Sequence, residues 1–253
     1  MLAWSVRRRF FYLAIIALLI IAGGVFLLWK FNPEPSCFDG RLNQNETGVD
    51  CGGSCEQVCL VEIKDLRVFW VRALPIAAGQ YDVAALISNP NRQYGAKNFA
   101  YLIKLIDERG ILITTKQGRA SLNPEEKFVI YNSRLNVGRR QPARATLEII
   151  ELPTWQRVTQ TAPALTIRQH SFSNLPFPTL IAEVGNQTLT EWRDLEVVAL
   201  LSDAAGNAFA VSSTEVELLP KKGSSEIAFT WPQPFEIEQP TINFYTHLDL
   251  MTN

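Results

Sequence analysis

The spacing of hydrophobic and polar residues changes character along the chain. From Phe10 to Trp29 the sequence FFYLAIIALLIIAGGVFLLW carries no charge over 20 residues. At about 1.5 Å of rise per residue, this run predicts one helix long enough to cross about 30 Å of hydrocarbon. Beyond residue 60 the apolar positions alternate with a period of two, as in half-buried strands. Phe99, Tyr101, Ile103 and Leu105 share one strand face, Leu195, Val197, Ala199 and Leu201 share another, and Ile227, Phe229 and Trp231 a third. No helical period appears outside the apolar run. Strands are predicted near 61–71, 80–88, 98–107, 111–121, 126–132 and 144–151, and again near 164–172, 178–186, 193–203, 207–217, 224–231 and 241–250.

The two sets of strands mark an internal duplication. Asn89 and Asn186, Asp107 and Asp203, Gly110 and Gly206, and Pro124 and Pro220 are each 96 or 97 positions apart. In both copies an apolar strand ends in D-x-x-G, a turn in which glycine supplies the positive φ. Six or seven short strands per copy, punctuated by turns, read as an immunoglobulin-like sandwich. The strand pair from Asn89 to Asp107–Gly110, followed by a return strand led by Pro124, is similar to FxLYD-type and CARDB-type bacterial sandwich domains. That resemblance implies extracytoplasmic binding or spacing, with no catalytic residue to carry over. The F-x-L-Y-D string itself is absent.

Charge orients the apolar helix. Arg7, Arg8 and Arg9 precede Phe10 and only Lys30 follows Trp29 closely, so the positive-inside bias places the N-terminus in the cytoplasm and the body outside. Trp4, Tyr12 and Trp29 suit the membrane interfaces. A cleaved signal peptide has an apolar core of about 7–15 residues, whereas Ala22, Gly23 and Gly24 are followed here by Val25–Trp29, so an uncleaved single-pass anchor in the cell membrane is expected. The run VRRRFF also resembles a twin-arginine export signal, but no cofactor motif follows, and the arginines read as a topological stop.

All four cysteines, Cys37, Cys51, Cys55 and Cys59, lie in CFDGRLNQNETGVDCGGSCEQVC. Outside the membrane they are expected to form two disulfides, with three pairings open. Their gaps of thirteen, three and three residues do not form C-x-x-C knuckles, which argues against zinc. Asp39, Asn43, Glu46 and Asp50 have two readings, as formers of tight turns or as calcium ligands. The string resembles the DCGG cysteine motif of secreted and surface proteins, which implies an extracellular setting and no reaction.

The expected organisation is mainly β: a cytoplasmic segment 1–9, a transmembrane helix 10–30, a disulfide-rich neck 31–60, and tandem Ig-like β-sandwich domains over 61–153 and 154–253. The connector 152–166, with two prolines, is expected to be stiff and to favour an extended stalk. Trp155, Phe172 and Phe177 beside it are expected to pack between the domains. A net charge of -1 argues against nucleic acid. Residues 60–155 hold 14 Lys plus Arg against 9 Asp plus Glu, and residues 156–253 hold 5 against 11. The basic half would then face anionic headgroups, or pair with acidic halves of neighbouring copies in self-association.

Catalytic signatures are missing. His170 and His247 stand outside any H-E-x-x-H pattern, and no G-x-S-x-G or phosphate loop occurs. The chain is therefore expected not to be an enzyme. It reads as a membrane-anchored binding or structural protein with a protein partner. An accessory subunit of a secretion, pilus or envelope-assembly complex, or a calcium-dependent adhesin, are the alternatives. Asn45 and Asn186 lie in N-x-T sequons.

Overall fold

The computed structural model describes residues 4–31, 34–55 and 57–251. These divide into two compact units, residues 1–59 and 60–253.

The first unit contains helix α1 (Trp4–Phe31) and the cysteine module. Within α1 the span Arg7–Leu28, 22 residues, is long and apolar enough to cross a membrane by length and composition, and none of it is buried. Arg7, Arg8 and Arg9 are exposed, and the Arg8 guanidinium lies over the rings of Trp4 (5.2 Å) and Tyr12 (5.9 Å). Phe10 is exposed on the helix, and Trp29 belongs to the helix with its side chain outside the described residues.

The second unit is a stack of antiparallel sheets. Its strands are β1 (Arg67–Ala77), β2 (Gln80–Ser88), β3 (Tyr94–Ile106), β4 (Leu112–Leu122), β5 (Lys127–Asn136), β6 (Arg144–Glu151), β7 (Thr154–Arg157), β8 (Leu165–Ser173), β9 (Thr179–Asn186), β10 (Trp192–Ser202), β11 (Ala208–Leu219), β12 (Ser224–Thr230) and β13 (Thr241–His247). The first sandwich joins a sheet ordered β1-β2-β5 to one ordered β4-β3-β6, with β7 on the leading half of β3. The second joins β12-β9-β8 to β11-β10-β13, the same order shifted along the chain.

Matching hydrogen bonds recur in both halves. Asn89 Nδ2 donates to the carbonyls of Tyr94 (2.7 Å) and Asn123 (2.9 Å), and Asn186 Nδ2 donates to those of Thr190 (2.8 Å) and Pro220 (3.0 Å). Each asparagine oxygen accepts the amide two residues on, from Asn91 and Thr188. Asp107 and Asp203 each accept two amides of their own turn, and Gly110 and Gly206 take φ of 77° and 82° there, where a side chain would be strained. One expected equivalence shifts: the carbonyl that corresponds to Pro220 belongs to Asn123, so Pro124 matches Lys221.

The stack has four layers because its two inner sheets are apolar on both faces. On β10, Leu195, Val197, Ala199 and Leu201 point into the second core, while Val198 and Leu200 join the first. On β2 the run Val83–Ile87 is buried without a break. The outer strands β8 and β12 instead alternate between covered and exposed positions. Continuous apolar runs are what a strand buried on both faces requires.

Three expectations are corrected here. The extended stalk does not form: the sandwiches pack on each other, and the connector contributes β7. Trp155 and Phe172 pack on the first and second cores respectively, whereas Phe177 is 62% exposed. The first strand begins six residues later than the predicted 61, because Asn91 holds the Lys64 peptide through both its N–H and its carbonyl, each at 2.8 Å, and keeps the lead-in off the sheet.

Replacing Asn89 by Ala strands buried carbonyls and should lower stability by about 2–3 kcal/mol. Equilibrium denaturation of the detergent-solubilised chain measures it, and a change below about 0.5 kcal/mol would show that the loop is held by other means.

Candidate functional site

The cysteine module is too small to hold together by apolar burial, and two crosslinks take that role. Cys37 pairs with Cys55 and Cys51 with Cys59, which selects one of the three pairings left open and removes the thiolates zinc would need. Cys55 and Cys59 are buried.

Of the residues predicted as calcium ligands, Asp39, Glu46 and Asp50 turn carboxylate oxygens onto the backbone, whereas Asn43 Oδ1 is buried with no hydrogen-bond partner among the described residues. Asp39 accepts from the amides of Ser36 (3.2 Å) and Arg41 (2.9 Å) and from Asn43 Nδ2 (2.8 Å). The Asn43 side-chain bond leads in holding the Asp39 carboxyl below its ordinary value, and with the backbone bonds from Ser36 and Arg41 and the charge of Arg41 it outweighs the opposing desolvation. Asp50 takes the Gly40 amide on both oxygens, at 3.0 and 2.9 Å. Glu46, itself buried, accepts the amides of Asn43 (3.2 Å) and Asp50 (3.3 Å). Turn formation is what these contacts perform.

A second concentration of ionisable groups lies at the seam between the sandwiches, drawn from positions far apart in the sequence. Glu126, in the turn between β4 and β5, meets His247 at the end of β13, with Oε1 and Nδ1 2.8 Å apart. Their side chains expose only 11% and 15% of their surface. The other Glu126 oxygen accepts the Asn123 amide at 2.6 Å. Asn123 in turn donates to the Leu248 carbonyl (2.8 Å) and accepts from the Leu250 amide (3.1 Å), which closes a ring of hydrogen bonds across the seam. The Phe128 ring packs on the imidazole at a centroid distance of 5.2 Å.

Glu196 stands in direct register with His247 across the β10–β13 pair and with Glu215 across β10–β11. Burial raises the Glu196 carboxyl above its ordinary value, opposed by the charge of His247. For His247, burial acts to lower the pKa, but the Glu126 hydrogen bond and the charges of Glu126, Glu196 and Asp249 outweigh it and raise the imidazole above 6.5. Glu196, His247 and Asp249 border a cavity of about 380 Å³, also lined by Tyr101, Tyr131 and Arg119. Tyr131 donates to Asp82 (3.1 Å), Tyr101 accepts from Asn132 (3.0 Å), and Arg119 is engaged by Glu151 (2.5 Å).

His247 stands in no metal-ligating sequence pattern, and its setting follows from the fold. A usable signal was present in EVVALL: Val198 and Leu200 make the second face of β10 apolar too, so Glu196 on that face had to be covered and charge-compensated. His170, by contrast, lies exposed on β8. The sequon asparagine Asn186 is 1% exposed with its amide engaged, so it offers no glycan attachment in the folded chain, whereas Asn45 is exposed.

Peptide mapping without reduction should recover Cys37 linked to Cys55 and Cys51 linked to Cys59. Recovery of Cys37 linked to Cys51 would refute the module's geometry.

No protein-family profile matches the chain, and no curated protein matches it. Among solved structures it is similar to the transglutaminase of red sea bream, at 12% identity and a TM-score of 0.24, over 74% of this chain and 30% of that one. The chain thus spans under a third of that enzyme, and so loose a superposition carries no argument about chemistry.

Proposed function

We propose that this chain is a membrane-anchored, extracytoplasmic binding or structural protein that presents two duplicated, immunoglobulin-like sandwiches at the cell surface or in the envelope. The observation that carries the reading is the pairing of an apolar helix, unburied over all of Arg7–Leu28, with a module held by two disulfides. An apolar surface of that size needs lipid or neighbouring helices to cover it, and stable disulfides belong to oxidising compartments. Arg7, Arg8 and Arg9 supply the charge bias for an N-terminus in the cytoplasm. A binding rather than catalytic role is favoured because the buried acid–base groups of the seam are committed to one another. The carboxylates of Asp39, Glu46 and Asp50 are read as braces for the neck rather than as calcium ligands.

The accessory-subunit reading has one observation on its side. A Cβ added at Gly23 or Gly24 would meet nothing within 4 Å, so this part of the helix surface is open to close approach by another helix. Replacing α1 with an unrelated apolar helix separates the two readings: function retained favours the presenter, and function lost favours the subunit.

Alkaline carbonate should leave the chain in the membrane fraction, and protease added to the extracytoplasmic side should digest the body. A mature N-terminus beyond Phe31 would replace the anchor with a cleaved signal. Chelation with EDTA should leave the melting temperature unchanged, and a drop of several degrees reversed by calcium would restore the metal reading.

A further inference from the structure

The hydrogen-bonded ring at the seam has a single group that can change its charge near neutral pH. Its members are Glu126 and Asn123 from the β4–β5 turn, and His247, Leu248 and Leu250 from the end of β13. Among the described residues, the charged groups that act on His247 are acidic. Glu126 contacts it from the first sandwich, Glu196 lies beside it on β10 with Glu215 beyond on β11, and Asp249 acts on it from its own strand end. Phe128 covers the ring from β5, and Tyr101 on β3 feels the charge of Glu196. Arg119, the other cation bordering the cavity, is engaged by Glu151 and by the carbonyl of Asn98 (3.2 Å). Among the described residues, the group that contacts Glu126, acts on Glu196 and can carry a positive charge is the His247 imidazole once protonated.

We propose that His247 is a proton-operated latch on the seam between the two sandwiches. When protonated it ties β13 to the β4–β5 turn through Glu126 and balances Glu196. When it loses that proton, two part-buried carboxylates face each other with no cation between them, and the 123–126 turn and the 248–251 segment separate more readily. The sign follows from linkage. A histidine raised above its ordinary 6.5 in the folded chain contributes fully below that value, and its contribution is lost as pH rises through the folded value. Glu196, raised above 4.5, loses its own contribution in the same direction but in a lower window. The latch thus holds in mildly acidic medium and loosens in alkaline medium.

Hydrogen–deuterium exchange on the full chain in detergent micelles, with the intrinsic pH dependence of exchange removed, reads the opening directly. Between pH 5.5 and 9 the opening of peptides covering 123–126 and 248–251 should rise with pH by up to about tenfold per unit, the limit for one proton. In His247→Gln the same peptides should be open to a level that no longer varies over the upper half of that range. Glu196→Gln, which removes one of the facing carboxylates and keeps the ring, should retain the transition but move its midpoint lower. A wild-type profile flat in pH would overturn the proposal. So would a transition that persists unchanged in His247→Gln, or one that Glu196→Gln leaves in place.

Discussion

Burial of the sheets β1-β2-β5 and β11-β10-β13 on both faces is the constraint from which the rest of the body follows. A strand covered on one side can alternate apolar with polar residues, and the outer strands β8 and β12 do so. A strand covered on both sides cannot, and β2 and β10 carry unbroken apolar runs. At about 1.5–3 kcal/mol for each large apolar side chain taken out of water, the Val198 and Leu200 contribution alone favours stacking over a separated arrangement. Once the sandwiches stack, any polar group that falls within the seam has to find its partner there. Arg72 reaches the Ala208 carbonyl at 3.3 Å, Lys97 reaches that of Met251 at 2.8 Å, and Glu126 and His247 meet each other. Gly95 belongs to the same fit, since a Cβ there would lie 2.2 Å from the Met251 sulfur.

Much of this was legible in the chain, and the failures have physical causes. Most strand boundaries came through because alternation and turn residues act locally: the D-x-x-G turns at Asp107 and Asp203 fold on their own hydrogen bonds. The lead-in 60–66 was misread because its conformation is dictated by Asn91, a side chain 27 positions away from Lys64. The connector's prolines point to a stalk, but the second apolar face of β10, with Val198 and Leu200, outweighs them and draws the sandwiches together. The Glu126–His247 pair was invisible to motif reading for a different reason. Its members are 121 positions apart and form no local pattern, so only the stacking of the sandwiches brings them together.

The apolar helix and the cysteine module obey different physics from the body. Along α1 the apolar surface is a property of sequence alone, and no tertiary contact was needed to recognise it. In the module, sequence supplied the inventory and not the wiring. Four cysteines within 23 residues restrict the chain to three pairings, and the choice of Cys37 with Cys55 and Cys51 with Cys59 goes with a loop geometry set by Asp39, Glu46 and Asp50 gripping backbone amides. Carboxylates clustered in a short loop are as well suited to organising peptide groups as to holding a cation, and composition cannot separate the two.

The contacts made by residues 247–251 also impose an order in time. The turn after β4 is completed by Leu248 and Leu250, and the leading part of β3 by Met251, whose carbonyl accepts from a lysine 154 positions earlier. A chain made from its N-terminus forward therefore has the first sandwich assembled, but not closed, until nearly the whole of the second has been made. During that interval Val83–Ile87 has one face uncovered. The fold is thus one in which the earliest strands wait for the latest, and any machinery that handles this chain during its synthesis meets a half-covered sheet for as long as the wait lasts.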